Sequence, residues 1–379
     1  MSIEGRLSIG LQRDSGRVSI ASSRPVYASR LFQGKHVSET LKMLPVLFTV
    51  CATAQLCAGV RACEQALGLS AATHIERLRN CLVAMESVRE HLWRILLDWP
   101  GFLDENPKEK GMTSILVLQR EHRRTLTATA DPFQPGASDD VPALSPSRDF
   151  VQETGSILQQ AVLGLSPAHW LDIDSPEKLE KWAGSTATVA ARLLKHVIQM
   201  KWHEAGRCEI EALPFLEPEY MHPLLQDDDF IRQPQWFDGC RETTCFGRVD
   251  SPLLQQLRSR HGNGLLPRLV ARLTELAQLS MALQPETGVA DEDAPVCAQN
   301  PAIGQVTAAR GQLLHRVQLD GERVARYQIL APTEWNFHPQ GVVAMSLASL
   351  QGDAAQIESQ ARLLINAIDP CVGYDLSID

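Results

Sequence analysis

The chain closes on Asp369-Pro370-Cys371-Val372-Gly373-Tyr374-Asp375-Leu376-Ser377-Ile378-Asp379. A cysteine directly behind a proline, this close to a chain end, is a poor position for a structural thiol, because termini fray unless something ties them down. A metal–thiolate bond is one strong tie, which makes Cys371 the first candidate ligand. Working backwards, helical spacing over 353–367 delivers the chain to this tail. Before that the period changes to that of strands. Segments 313–319 and 323–330 flank Asp320-Gly321, a strong hairpin signal.

The opposite end also reads as strand. Residues 6–11 and 17–21 alternate loosely around the turn Asp14-Ser15-Gly16. An Ala-, Leu- and Val-rich helix follows over 51–67 and stops at Gly68. Thr73-His74-Ile75-Glu76 has the form of a capping box. The helix it opens carries Ile75, Leu78, Leu82, Met85 and Leu92 and ends at Trp99-Pro100-Gly101. Ser175-Pro176-Glu177 starts another helix, and 266–283 forms a further one. The polar, proline-dotted stretch 131–147 reads as a flexible loop within one large domain spanning 1–379. The pattern predicts an α+β fold, mainly helical, with a small antiparallel sheet formed from the N- and C-terminal regions.

With 44% apolar residues the chain can bury a sizeable core, and a net charge of −9 argues against nucleic acid, which needs a basic face. No run approaches the ~18 apolar residues of a membrane span. The first residues lack the apolar region of a secretory signal, so the expected location is cytoplasmic. Nine cysteines without a C-x-x-C pair suit a reducing compartment.

Cys51, Cys57 and Cys63 recur every six residues. On a helix six residues rotate by about 600°, so these thiols splay and at most one of them can be a ligand. Cys208, Cys240, Cys245 and His203 lack the spacing of a standard zinc knuckle. No H-E-x-x-H, P-loop, G-x-G-x-x-G or G-x-S-x-G motif is present.

Six short motifs, in order along the chain, resemble those of nickel–iron hydrogenase large subunits. They are Ile3-Glu4-Gly5-Arg6-Leu7 with Leu31-Phe32-Gln33-Gly34, the stretch from Cys51 to Cys63-Glu64, Glu242-Thr243-Thr244-Cys245-Phe246-Gly247-Arg248, Ala308-Ala309-Arg310-Gly311, Ala331-Pro332-Thr333-Glu334-Trp335-Asn336-Phe337, and Asp369-Pro370-Cys371. The weakest resemblance lies between about 104 and 240. Where that family has two C-x-x-C pairs, this chain keeps only Cys51 and Cys371; Phe48 and Tyr374 stand at the other two positions. Gln55 replaces a histidine, and His36 replaces the proton-relay glutamate.

This combination resembles the HupK/HoxV family of hydrogenase assembly proteins. The resemblance implies a non-enzymatic scaffold that binds the Fe(CN)2(CO) unit and passes it toward the hydrogenase large subunit, with no nickel. Cys51 and Cys371 would ligate the iron, because soft thiolates suit it. Arg310 and Thr333 would donate to the cyanides, and Phe48 would face the carbonyl. Expected partners are a HypC-type chaperone, the HypC–HypD complex and the large-subunit precursor. The alternative is a metal-free interaction protein that keeps the fold to recruit maturation chaperones.

Overall fold

A computed structural model describes residues 5–24, 26–129, 131–137, 144–237, 239–284 and 302–379. Strand β1 (Leu7–Gln12) forms the centre of a three-stranded sheet. On one side it pairs antiparallel with β2 (Arg17–Ser22), the hairpin expected from the sequence. Leu7, Ile9 and Leu11 alternate into the core. A second sheet is an antiparallel meander of β3 (Ile303–Ala308), β4 (Gly311–Asp320) and β5 (Arg323–Leu330). Asp320 pairs with Arg323, and Gly321 takes a φ of 58° in the tight turn between them.

The mainly helical α+β expectation holds, and the sheets have more structure than it stated. The tail itself is a strand, β6 (Tyr374–Ile378), which lies parallel to β1 with Leu7 opposite Tyr374 and Leu11 opposite Ile378. That is the physical answer to a fraying terminus: a ladder of main-chain hydrogen bonds holds the tail, with no metal required. The meander 303–330 forms its own sheet instead of joining the terminal one.

Both faces of the meander are covered. Leu313 and Val317 belong to the main core, whereas Leu314, Ile303 and Leu330 face a smaller cluster with Leu216, Met221 and Trp335. The main-core face is packed by α1 (Val37–Leu47) and α2 (Ala52–Leu67). α2 ends as read from the sequence, with Gly68 left-handed at φ 66°. Helix and strand approach to backbone contact. A Cβ on Gly304 of β3 would collide with the Ala58 carbonyl oxygen and lie 2.6 Å from the Ala62 nitrogen. Only glycine permits that separation.

α3 (Thr73–Trp93) is capped by Ala72, with no side-chain cap. The expected capping box does not form because Thr73 lies inside the helix and Glu76 is engaged by Arg61 and Arg79. The α-helix also ends earlier than the spacing suggested. A π-helical turn, Arg94–Asp98, follows it, and then a 3-10 turn, Trp99–Leu103. Two later helices complete the scaffold: α4 (Leu265–Ala282), buried over most of its length, and α6 (Ala354–Ile368), capped by Asp353 and Gln356 in a capping box. Between them lies the short α5 (Pro332–Asn336), with its proline at the first turn. Ser175 caps its helix as read.

The start of the presumed loop is packed. Phe133 is buried, the Pro132 carbonyl accepts from buried Arg79 Nε, and the Gly136 N–H donates to Glu64. Of the loop expected over 131–147, residues 131–137 thus make contacts with the core, and 138–143 lie outside the described residues.

Two measurements test this arrangement. Gly304→Ala should lower stability by about 1–3 kcal/mol in denaturant melts, since backbone on both sides resists the added methyl. His315 is fully buried between Gln55 Oε1 and the Tyr327 hydroxyl. Burial pushes its pKa down to about 3. It is neutral when folded and takes up a proton below about pH 6.5 once unfolded. Stability should therefore fall as pH drops from 6.5 toward 3, by up to about 1.4 kcal/mol per unit from this residue. Thermal melts of His315→Gln should show a shallower slope over that window.

Candidate metal centre

Cys51 is the N-cap residue of α2, at the end of the short connection from α1. Cys371 follows the Asp369-Pro370 exit from α6. The two thiols, more than 300 residues apart in sequence, line one cavity of about 90 Å³. A single water needs about 10–15 Å³, so the space suits a compact complex of several small ligands.

Asp369 builds the exit. It takes a left-handed φ of 70° that turns the chain out of α6. Its buried carboxylate accepts from Arg94 Nε at 2.7 Å, Arg272 Nη1 at 3.1 Å and Arg310 Nε at 3.1 Å. Burial alone would raise its pKa, but the guanidiniums, Arg310 foremost, override that and hold the group below the usual carboxylate range. Arg94 belongs to the π turn, a distortion that recurs at functional sites because it re-aims side chains.

Arg310 sits at the tip of the β3–β4 hairpin, where Ala308 pairs with Gly311. A side chain at Gly311 would strike Thr243, which explains the glycine after the arginine. Asn336 of α5 ties the motifs together: its Oδ1 accepts from the Thr243 N–H at 2.8 Å, and its Nδ2 donates to the Arg310 carbonyl at 3.2 Å. Arg248 Nη2 donates to the Ala309 carbonyl at 2.8 Å. The Arg310 guanidinium, anchored on Asp369, also donates through Nη1 to Glu90 at 3.1 Å. Its Nη2 makes no hydrogen bond among the described residues.

Thr333, in the first turn of α5, places Oγ1 3.0 Å from Cys371 Sγ, and either atom can be the donor. Gln55 Nε2 lies 3.6 Å from Cys51 Sγ. Gln55 Oε1 faces His315 Nε2, so the histidine carries its proton there and its Nδ1 accepts from Tyr327. At the base of α2, Glu86 accepts the N–H groups of Thr53 (2.7 Å) and Ala54 (3.0 Å), a carboxylate at a helix N-terminus where the dipole favours it. Cys51 is pushed up to about 12, by burial first, then by Cys371 and Glu86. As a free thiol it is protonated, and a metal ion would have to displace that proton.

Residues 261–373 match the family described as nickel-dependent hydrogenase. The hydrogenase expression/formation protein HoxV of Cupriavidus necator is 33% identical over 397 residues, covering 99% of this chain and 95% of that protein. HupK of Azotobacter vinelandii, which carries the same description, is 29% identical over 388 residues, with 99% and 98% covered. The chain belongs to the HoxV/HupK family. Its fold is that of hydrogenase large subunits. The reduced nickel–iron–selenium hydrogenase of D. vulgaris Hildenborough superposes with a TM-score of 0.60 at 16% identity, over 94% of this chain and 93% of that one. An NAD+-reducing nickel–iron hydrogenase gives 0.56 at 14% identity, over the same shares.

Within this family member, the four site residues named from sequence, Cys51, Cys371, Arg310 and Thr333, all line the cavity, and Phe48 adds an apolar wall. Tyr374 lies in β6 and His36 caps α1, where it contacts Ser38 and Glu322; neither lines the cavity. Cys57 and Cys63 are buried core residues, as the splayed spacing implied. Cys208 contacts Asn263 and Ser346, while Cys240 contacts His338, so the zinc alternative has no shared centre. Among the described residues no three His, Cys, Asp or Glu side chains are arranged to hold a metal ion. Cys297 lies outside them.

Sequence reasoning missed Arg24, Glu86, Glu90 and any role for Glu334, all of which line the cavity. Glu86 and Glu90 are one helical turn apart on α3 and share a face, a legible signal. Arg24 carries no local signal, because only the fold brings it here. Asp369→Asn should cost about 3–5 kcal/mol in denaturant melts, since it leaves buried guanidiniums without their shared anion.

Proposed function

We propose that this chain serves in hydrogenase maturation as a non-catalytic carrier of the Fe(CN)2(CO) unit, holding it between Cys51 and Cys371 before it moves on to the hydrogenase large subunit. The observation that carries this reading is the convergence of exactly these two thiols on one cavity, with Thr333 against Cys371. Two thiolates without a third metal-ligating side chain leave half of a bare ion's shell to water, a weak site. They suit an iron that brings its own diatomic ligands, because soft sulfur and strong-field cyanide and carbonyl together complete its shell. Arg310 Nη2 and the Thr333 hydroxyl are the donors for cyanide nitrogen, and Phe48, Leu313 and Ile329 offer apolar contact for carbonyl.

Phe48 and Tyr374 stand where a bimetallic site needs two more thiols, so nickel has no ligand set here. That argues against a working hydrogenase. The family names support a role in hydrogenase formation. On this reading the donors of the iron unit are a HypC-type chaperone and the HypC–HypD complex, its acceptor is the large-subunit precursor, and the setting is the cytoplasm. No helix among the described residues is long and apolar enough to cross a membrane.

The test is anaerobic purification from cells that carry the maturation genes, followed by iron analysis and infrared spectroscopy. Cyanide and carbonyl stretches should appear in the parent protein and vanish in both Cys51→Ala and Cys371→Ala, with the fold retained by circular dichroism. Protein that is iron-free and lacks these bands, yet still binds its maturation partners, would instead establish the metal-free recruiting role.

A further inference from the structure

We propose that Arg24 favours, at the two thiols, an iron unit that already carries anionic ligands over a bare divalent cation. This inference rests on the carrier reading above.

Arg24 lines the same cavity as Cys51 and Cys371. It arrives there from the end of the β1–β2 hairpin, and its backbone is pinned: Gly5, left-handed at φ 68°, passes so close that a Cβ on it would lie 2.6 Å from the Arg24 Cα. The Arg24 N–H donates to Ser22 Oγ at 3.2 Å. Its side chain forms a single-point ion pair, Nη1 to Glu334 Oε1 at 2.5 Å, with the two side chains only 13% and 8% exposed. The pair is incomplete on both sides. Glu334 Oε2 is buried without a hydrogen-bond partner, and among the described residues the Arg24 side chain hydrogen-bonds through Nη1 alone. A fork with five donors therefore enters the cavity wall with most of its capacity unused.

Burial opposes the Arg24 charge, yet its pKa stays above the ordinary arginine value because Cys371, then Glu334 and then Cys51 favour the cation. Its charge is thus linked to both thiol positions. Arg310 has the same sign but is already shared between Asp369 and Glu90. Arg24 has one carboxylate, held through one oxygen.

Charge counting gives the consequence. A bare divalent cation displaces the two thiol protons and makes a neutral centre, so the site keeps its charge and a nearby fixed cation has little effect. Two thiolates with ferrous iron, two cyanides and carbonyl make a centre of charge −2, which the same cation stabilises. The Arg24–Glu334 pair is mostly buried, so water only partly screens this difference. The free Arg24 donors also match the lone pair of a cyanide nitrogen.

The test uses the reduced, metal-free full chain titrated anaerobically with cobalt(II), read by its thiolate-to-metal absorption. Arg24→Met and Arg24→Lys should both bind cobalt within about threefold of the parent, because cobalt leaves the charge of the site unchanged. Glu334→Gln, which leaves Arg24 less neutralised, should match the parent with cobalt but retain more iron, and serves as the readout if Arg24→Met misfolds. A loss of cobalt affinity in Arg24→Met that matches its loss of iron would overturn the proposal. In iron-loaded preparations, Arg24→Met should lose iron and shift the cyanide stretches while Arg24→Lys retains them. Unchanged bands and iron content in Arg24→Met would overturn the favouring of the iron unit. Absence of such bands from the parent protein would sink the carrier reading itself, and with it this inference.

Discussion

Asp369 joins four parts of the molecule through three guanidiniums: Arg94 of the π turn after α3, Arg272 of α4, Arg310 at the hairpin tip, and its own exit from α6. A buried carboxylate or a buried arginine alone carries a desolvation penalty of several kcal/mol. Each group here tolerates burial only because the others are present, so the cluster is cooperative in its placement even if its net stabilisation is small. Its structural effect is definite. It sets where α6 ends, and two residues later the chain must present Cys371.

Sterics place the other wall. Gly304 lets β3 lie against the backbone of α2, which sets the depth of the helix start and therefore of Cys51. Gly311 lets the hairpin tip rest on Thr243, and Asn336 links that segment to Arg310 and α5. The motifs that are separate along the chain are thus one hydrogen-bonded unit in space. Thr333 is carried into contact with Cys371 by the same short helix whose asparagine holds the arginine.

The residues that depart from the hydrogenase pattern form a coherent set. Of the two residues read from the sequence as departures, Phe48 brings a ring to the cavity and Tyr374 begins a strand. The tail consequently needs no metal to be held. β6 pairs with β1 along its length, and the exposed Arg6–Asp375 pair adds little to that ladder. A tail held by main-chain hydrogen bonds leaves Cys371 in place whether or not it carries anything. That independence suits the carrier role proposed above, in which a ligand is gained and lost without refolding.

The periodicities and the capping residues Ser175 and Gly68 were enough to identify α2, α3, α4, α6, the helix that Ser175 opens and both hairpins, but not α1. The paired survivors Cys51 and Cys371, with Arg310 and Thr333, were also legible, because short ordered motifs carry them. The π turn at Arg94 was not, since nothing in local propensity separates it from a continuing helix. Nor was the parallel docking of β6, because pairing partners are chosen by long-range geometry. Arg24 and Glu334 became site residues only in three dimensions. Local sequence determines which groups are available and which turns the chain makes. The charge environment of the thiols depends on which distant side chains share one cavity, and only the tertiary structure decides that.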